Sequence, residues 1–229
     1  MKSLLDNIIW HSLTDHQRHF AVGSGGARRY AQGFSPIVGF ADPDNPCFDD
    51  LVPHLAVGEH VYCERWKGRA PTGWQLVEER LMRKLIWEAP APDHAVGTDA
   101  QPLRAEHAPQ ALALAELTQP GPFGLRTIEL GEYYGYFVGE RLVAMAGERM
   151  HAGRLREISG VCTHPDFLGR GYARELMLKL LRIQLRRGQL PFLHVMSDNH
   201  RALSLYRRMG FSDYREVVVR VICRTDLAR

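Results

Sequence analysis

In the second half of the chain, some segments have apolar residues at the spacing typical of strands and others at the spacing typical of helices. Residues 133–138 and 142–148 are apolar-rich runs on either side of Gly139-Glu140-Arg141, which is typical of a β-hairpin. Residues 154–163 predict a further strand. Between residues 172 and 187 leucine and isoleucine recur at helical spacing. The pattern therefore predicts antiparallel strands that lead into one long helix.

Further elements are predicted before and after this group. The apolar positions predict, in chain order, a strand at 96–104, a helix at 108–118, a short buried strand at 192–195, a helix at 201–209 and a final strand at 217–222.

The first part of the chain has a weaker pattern. It predicts short helices and strands at residues 4–13, 35–40, 48–55 and 60–66. Residues 75–87 fit a helix and a strand equally well, and both interpretations stay open. Residues 88–99 are rich in proline, alanine and glycine, as linkers are. We therefore predict an N-terminal region at 1–92 and a second domain at 93–229.

Composition and charge restrict the classes of function. The chain has 229 residues, of which 45% are hydrophobic and 24% charged, so it can bury a substantial core. Its 29 basic and 26 acidic residues give a net charge of +3, which does not call for nucleic acid. The four cysteines are far apart and form no Cys-x-x-Cys, so we expect no metal site and no disulfide framework. The chain lacks a long uninterrupted apolar stretch, and we expect a soluble cytoplasmic protein without a membrane partner.

The most informative stretch runs from Ser159 to Ala173, where a strand ends, a loop carries Gly169 and Gly171, and a helix begins. Glycine lets the backbone approach a ligand closely, and the first N–H groups of a helix have no partner within it. A P-loop would need Gly-Lys-Ser/Thr at the helix start, and a dinucleotide fingerprint would need a third glycine where Arg174 stands. The loop therefore predicts another kind of phosphate site, with an ordinary strand-to-helix turn as the alternative.

Two motifs resemble the GNAT superfamily of acyl-CoA-dependent N-acetyltransferases. The run Leu168-Gly169-Arg170-Gly171-Tyr172-Ala173 is similar to its Arg/Gln-x-x-Gly-x-Gly/Ala loop, with Leu168 where Arg or Gln is usual. The run from Asn199 to Phe211 is similar to its second signature, Asn-x-x-Ala-x-x-Leu-Tyr-x-x-x-Gly-Phe. The resemblance implies an α/β (α+β) fold with a mixed, mostly antiparallel sheet flanked by helices. Residues 1–92 would then be an N-terminal α/β region, with a degenerate GNAT-like half as one option.

The resemblance also implies acetyl-CoA as co-substrate. In that family the loop amides bind the pyrophosphate of CoA, and basic side chains such as Arg170 and Arg174 can reach its phosphates. Arg207 and Arg208 fit a solvated helix face equally well. The cofactor-binding positions implied in this chain are Val161, Cys162, Thr163, Leu168, Gly169, Arg170, Gly171, Tyr172, Ala173, Arg174, Asn199 and Tyr206.

Acyl transfer from a thioester needs an acid for the thiolate that leaves. The resemblance implies that Tyr206 is this general acid, since the matching tyrosine of the family lies near the CoA sulfur. A phenol with an ordinary pKa near 10 can donate to a thiolate whose conjugate acid has a pKa near 8.5. The alternative is a tyrosine that packs on the sheet. Asn199 precedes the same predicted helix and is expected to cap it.

The transfer also needs a base and donors for the oxyanion. The resemblance implies Glu157 as the general base, because its distance from Leu168 matches that of the family's glutamate. A strand glutamate paired with Arg149, Arg154 or Arg156 is the alternative, with Glu148 and then His164 as further candidates for the base. The main-chain N–H of Val161, Cys162 or Thr163 is the implied oxyanion donor. A nucleophilic Cys162 is rejected, because no His/Asp partner pattern accompanies it.

The preferred hypothesis is an N-acyltransferase. It would move an acetyl group from acetyl-CoA directly to a primary amine of a small molecule or amino-acid-like acceptor within a ternary complex. A catalytically decayed acyl-CoA-binding regulatory protein is the alternative, because Leu168 departs from the family pattern and the first part has no recognisable motif. The expected partner is a small-molecule amine. The sequence does not identify this amine and leaves a homodimer open.

Overall fold

The computed structural model describes residues 2–92 and 99–226. Its α-helices are α1 (Ile8–Thr14), α2 (Ala108–Thr118), α3 (Tyr172–Arg186) and α4 (His200–Met209). Its strands are β1 (Ala21–Val22), β2 (Ala27–Tyr30), β3 (Val38–Phe40), β4 (His60–Glu64), β5 (Trp74–Trp87), β6 (Gln101–Pro102), β7 (Tyr133–Val138), β8 (Arg141–Ala152), β9 (Leu155–Thr163), β10 (Leu190–Met196) and β11 (Phe211–Arg224). Short 3-10 helices cover Lys2–Asn7, Arg18–Phe20, Phe48–His54, Ala105–His107, Thr127–Leu130 and Pro165–Phe167. None of the helices in these ranges combines the length and the apolar character that a membrane span requires.

An eight-stranded sheet organises the molecule, in the order β4-β11-β5-β10-β9-β8-β7-β6. Its neighbouring strands are antiparallel except β9 and β10, which are parallel and joined by the crossover helix α3. The predicted mixed, mostly antiparallel sheet is therefore confirmed. Helices α3 and α4 cover one face, where Leu176, Leu193 and Leu203 pack together. Helix α1 covers the other face, where Ile8 and Phe192 meet.

The ambiguous segment at 75–87 is a strand. Strand β5 lies between β10 and β11 and is antiparallel to both. Leu85 and Trp87 pack in the cluster of α3 and α4, whereas Ile86 packs in the cluster of α1. Because the end of β5 is buried on both faces, its apolar residues run together instead of alternating, and the sequence resembles one face of a helix.

The predicted division into 1–92 and 93–229 stays a prediction. Residues 93–98, which belong to the predicted linker and contain the start of the strand predicted at 96–104, lie outside the described residues. Strands on the two sides of this point nevertheless share one sheet, since β4 and β5 both pair with β11. The first part also forms a small sheet, β1-β2-β3.

A buried ion pair links two strands of the sheet to the N-terminal segment. Lys84 of β5 is fully buried, and its Nζ lies 2.6 Å from Oε1 of Glu64 on β4. The same Nζ donates to the main-chain oxygen of Leu5 at 2.8 Å. One ammonium group therefore joins two strands and the N-terminal segment.

Candidate active site

Strands β9 and β10 diverge near the middle of the sheet. Their parallel pairing runs only from Leu155 and Leu190 to Glu157 and Phe192. Beyond this point β9 continues along β8, whereas β10 continues along β5. A cavity of about 290 Å³ adjoins the gap, with Ile158, Ser159, Gly160 and Val161 of β9 on one side and His194, Val195 and Met196 of β10 on the other.

Strand β9 carries a bulge where it borders this cavity. The register with β8 shifts between the pairs Met145–Cys162 and Gly147–Ser159, and Gly160 has a φ of +62°. A Cβ on Gly160 would lie 3.1 Å from the ring of Tyr133, so glycine suits both the backbone and the space. The bulge interrupts the regular ladder at the wall of the cavity.

The three predicted oxyanion donors do not share one environment. Val161 follows the bulge and lines the cavity. Cys162 and Thr163 pair with Met145 and Ala144 of β8. The geometry favours Val161 among the three, and the role stays a prediction.

Cys162 is a buried residue of the core. Burial raises the pKa of its thiol to about 12. A thiol needs its thiolate form to attack a thioester, so this environment is unsuited to a nucleophile. The geometry thus agrees with the rejection of Cys162 as the nucleophile.

The glycine loop follows β9 directly and opens α3. Gly169 and Gly171 have φ values of +79° and +83°, and no described atom lies within 4 Å of a Cβ placed on Gly169. Gly171 is the N-cap of α3 and makes no side-chain capping bond. The first N–H groups of α3 therefore lie beside an accessible loop, which is the arrangement that binds anions at helix N-termini.

The side chains around this loop are largely solvent-facing. Leu168, Arg170 and Arg174 are exposed, and the guanidinium of Arg170 lies 4.8 Å from the ring centre of Phe167. Ala173 and Tyr172 are half-buried, and the ring of Tyr172 stacks on a tyrosine of β7. A backbone cradle with two exposed arginines fits a diphosphate group.

His164 shapes the turn before the loop. Its Nδ1 accepts from the N–H of Asp166 at 3.2 Å, and its Nε2 contacts the guanidinium of Arg141. His164 does not border the cavity at the β9–β10 gap. These contacts give it a structural role in the turn.

Helix α4 brings two predicted residues to the cavity. Asn199 caps the helix, as expected, because its Oδ1 accepts from the N–H of Ala202 at 3.1 Å. Asn199 and Tyr206 both line the cavity. Burial raises the pKa of Tyr206 to about 12, so this phenol keeps its proton at neutral pH. A protonated phenol at the cavity wall can act as a donor.

Glu157 lies behind the cavity wall. Its Oε1 accepts from Nη2 of Arg149 at 2.7 Å, and its Oε2 accepts from Nε of the same arginine at 3.0 Å and from the N–H of Met150 at 3.2 Å. Burial by itself would raise the pKa of Glu157, but the charge of Arg149 and the hydrogen bonds from His194 and Arg149 outweigh it and hold the pKa below its ordinary range. A carboxylate in this state is a weak base, and the base role predicted for Glu157 is not favoured by its contacts.

Glu148, the second candidate for the base, lies elsewhere. It is 2% exposed, and its Oε1 accepts from Nε2 of Gln184 on α3 at 2.9 Å. Its other oxygen lies 3.8 Å from Nε of Arg156. The structure therefore places Glu148 beneath α3 and not along the cavity.

Some residues at the cavity were not found by sequence reasoning. His194 on β10 donates to or accepts from Glu157 through Nδ1, at 2.8 Å from Oε1. The signal for it was a histidine within the short apolar run at 192–195. The first part of the chain adds four residues that were not singled out, which are Tyr62, Glu78, Arg80 and Met82. Tyr62 lies on the predicted strand β4, whereas the other three lie on β5, whose strand character was undecided.

Comparison with known proteins adds sequence and structural relatives. The model of the acetyltransferase (GNAT) family matches residues 98–211. The N-alpha-acetyltransferase RimI of Mycobacterium tuberculosis is 35% identical over 100 residues, which cover 40% of this chain and 61% of RimI. The mycothiol acetyltransferase of Streptomyces bingchenggensis is 35% identical over 119 residues, which cover 47% of this chain and 38% of that protein. The chain thus matches less than two thirds of the length of these curated relatives.

A solved structure matches nearly the whole chain. It is the 1.80 Å crystal structure of a protein from Novosphingobium aromaticivorans that is assigned as an acetyltransferase of the GNAT family. The two chains are 31% identical, with a TM-score of 0.89, and the match covers 97% of this chain and 99% of the other. The likeness therefore includes the first part of the chain, which the family model does not cover.

Proposed function

The chain belongs to the GNAT acetyltransferase family, and from this premise we propose that it is an N-acetyltransferase. It moves an acetyl group from acetyl-CoA directly to a primary amine of a small molecule or amino-acid-like acceptor. The observation that carries this proposal is the gap between β9 and β10. Tyr206 lies at the wall of the cavity that adjoins this gap, and the glycine loop follows β9 directly.

The chain's own groups fit acetyl-CoA. The N–H groups at the start of α3, with Arg170 and Arg174, hold the phosphates at the glycine loop. Bound acetyl-CoA would supply an acetyl thioester, whose C–S bond is replaced by a C–N bond to the acceptor, with one ammonium proton ending on the thiol and one in solvent. Tyr206 supplies a proton from its phenol oxygen, and the N–H of Val161 stabilises negative charge on oxygen.

The acceptor approaches through the part of the cavity that β4 and β5 form. Tyr62 and Met82 give this wall an apolar surface, whereas Glu78 and Arg80 bring opposite charges to it. Arg80 is itself paired with Asp198 at 2.6 Å. An acceptor with a charged amine and a small apolar body matches such a wall.

The first test is calorimetric titration of acetyl-CoA into the protein and into a Gly171→Asp variant. The aspartate places a negative charge at the helix N-terminus, where the phosphates would bind. We expect micromolar binding to the wild type and a loss of affinity of roughly tenfold or more in the variant. Wild-type protein that shows no heat of binding would refute the proposed function.

A matched control is Gly139→Asp. Gly139 also has a positive φ, of +60°, and no described atom lies within 4 Å of a Cβ added there, but it belongs to the β7–β8 turn. Both variants thus carry the same backbone strain and the same charge. We expect Gly139→Asp to bind acetyl-CoA like the wild type, and equal losses in both variants would remove the loop from the site.

The second test separates an enzyme from a decayed acyl-CoA-binding protein. Primary amines are screened with release of the CoA thiol as the signal, and Tyr206→Phe is compared with the wild type. Since general acid catalysis contributes about 10²- to 10⁴-fold, we expect turnover to fall by about 100-fold while acetyl-CoA still binds. Binding without turnover of any amine by the wild type would favour the decayed protein.

A further inference from the structure

Glu157 and His194 join β9 and β10 where the two strands separate. Glu157 is the last residue of β9 that pairs with β10, and its partner there is Phe192. His194 stands two residues further along β10, so its side chain lies on the same face as that of Phe192. The 2.8 Å contact between Nδ1 of His194 and Oε1 of Glu157 thus bridges the start of the gap.

The contacts of Glu157 decide which ring nitrogen of His194 carries the proton. Glu157 stays ionised, because the Arg149 guanidinium holds the pKa of its carboxyl below the ordinary range. An ionised carboxylate only accepts hydrogen bonds, so Nδ1 of His194 must be the donor. In the neutral ring the lone pair then lies on Nε2.

This second nitrogen lacks a partner in the part of the chain that the structure describes. Nε2 of His194 is buried and has no hydrogen-bond partner among the described residues, and the side chain is 6% exposed. His194 lines the cavity at the gap. A buried acceptor without a partner is costly, and such atoms in native proteins call for a ligand or a function.

The charged groups around His194 are already matched. Arg149 is bound to Glu157, and Lys84, the neighbour of His194 across from β10 on β5, is bound to Glu64. Glu78 and Arg80 line the same cavity; they lie 3.8 Å apart, and Arg80 is also bound to Asp198 at 2.6 Å. Burial raises the pKa of Tyr62 and Tyr206, the phenols that line this cavity, so they stay neutral. Protonation of Nε2 would therefore add one positive charge to surroundings in which these other charges are already paired.

We infer that Nε2 of His194 is the base that takes the proton of the acceptor ammonium, and that Glu157 is a positioning residue which orients the ring. This inference rests on the proposed function. The ammonium nitrogen loses one proton to Nε2 and keeps the electron pair with which it forms the new C–N bond. The imidazolium that results is held by the carboxylate of Glu157 and returns its proton to solvent.

The acid and the base then lie on opposite faces of the sheet. Phe192, and with it His194, belongs to the face covered by α1. Tyr206 packs with Leu193 and Val195 on the face covered by α3 and α4. Because the strands part between these faces, an amine on the His194 side and a thiol on the Tyr206 side can meet in the gap.

The kinetic test uses wild type, His194→Gln, Glu157→Gln and the control His200→Gln, with an amine found in the screen. His200 is exposed at the start of α4 and makes no contact with the ring of His194 that the structure describes. We expect kcat/KM to fall by about 100-fold in His194→Gln, with acetyl-CoA affinity within a factor of about two. His200→Gln should match the wild type.

The pH profile of kcat/KM distinguishes a base from a structural residue. A base acts only in its unprotonated form, so an acidic limb of the profile that depends on this side chain should be absent in His194→Gln. In Glu157→Gln the ring loses the carboxylate that orients it, so the maximum rate falls. If His194→Gln fails to fold, which its acetyl-CoA affinity would reveal, His194→Asn, which leaves the Arg149–Glu157 pair intact, takes its place in both the kinetic and the pH measurement.

A readout independent of turnover is the ¹⁵N spectrum of the imidazole rings, without acetyl-CoA. The chain has 11 histidines, and the signals missing from His194→Gln identify those of His194. We expect the proton on Nδ1 in the wild type and a shift toward Nε2 in Glu157→Gln. A proton on Nε2 in the wild type, or an acidic limb that persists in His194→Gln, would overturn this inference and leave the proposed function standing. No acetyl-CoA binding in the wild type would overturn the proposed function and the inference with it.

Discussion

At the scale of the residue, buried charges of this protein occur in pairs. Arg149 and Glu157 lie at the gap between β9 and β10, whereas Lys84 and Glu64 lie between β4 and β5. Removing one partner of a buried pair leaves the other charge without compensation, which costs more than the pair contributed. The two pairs are thus sensitive to single substitutions for a physical reason unrelated to catalysis.

Lys84→Met should be strongly destabilising. Glu64 would keep a buried charge, and we expect the free energy of unfolding to fall by about 3–5 kcal/mol. Urea denaturation measures this change. The control is Lys2→Met, which removes an exposed partner of Glu88 and should cost about 1 kcal/mol or less. Adding Glu64→Gln to Lys84→Met should restore part of the loss, and a double variant less stable than Lys84→Met would contradict this account.

At the scale of the element, helix ends carry the features of the site. Helix α3 begins at Gly171, whose missing side chain leaves the first N–H groups free of a cap. Helix α4 begins at Asn199, whose side chain does cap it. The uncapped helix end can bind an anion, whereas the capped one fixes the position of Tyr206.

Asn199→Ala should destabilise the protein by about 1 kcal/mol, because the N–H of Ala202 loses its acceptor. The change is measured by urea denaturation. Asn199→Ser keeps a capping oxygen and should stay close to the wild type. The acetyl-CoA affinity of the two variants distinguishes the capping role of Asn199 from a direct contact with the cofactor. Weaker binding in Asn199→Ser at unchanged stability would indicate that the amide itself contacts acetyl-CoA.

At the scale of the whole molecule, residues 98–211, which match the family model, need the first part of the chain to complete their sheet. Strand β5 separates β10 from β11 along the sheet, and β4 covers the outer edge of β11. The same strands carry Tyr62 and Met82 to the cavity. The sheet and the wall of the cavity therefore depend on the same segment.

A fragment comprising residues 93–229 should not fold by itself. Both β10 and β11 would expose the edges that β5 pairs with, and the clusters on each face would lose members. We expect no cooperative melting by circular dichroism. The matched control is the full chain cut at a protease site introduced after Pro92, in which both parts remain together and should melt cooperatively. A 93–229 fragment that melts cooperatively and binds acetyl-CoA would show that the first part is dispensable.

The features of this protein that could be predicted from its sequence are those that depend on local patterns of residues. The hairpin at β7–β8, the helices α2 and α3, the glycine loop and the cap at Asn199 depend on neighbouring residues, because turns, helix periodicity and capping are short-range effects. These features could be assigned before the structure, and so could the mostly antiparallel sheet and the family.

Tertiary structure alone decided the remainder. Residues 75–87 became a strand because both faces were covered by distant segments, which no local pattern records. Glu157 could be placed on its strand, but only the fold brought Arg149 and His194 to its carboxylate and left Nε2 of His194 without a partner among the described residues. The sequence by itself thus determined the family and the loop, whereas the identity of the groups that share a proton or a charge depended on contacts between residues far apart in the chain.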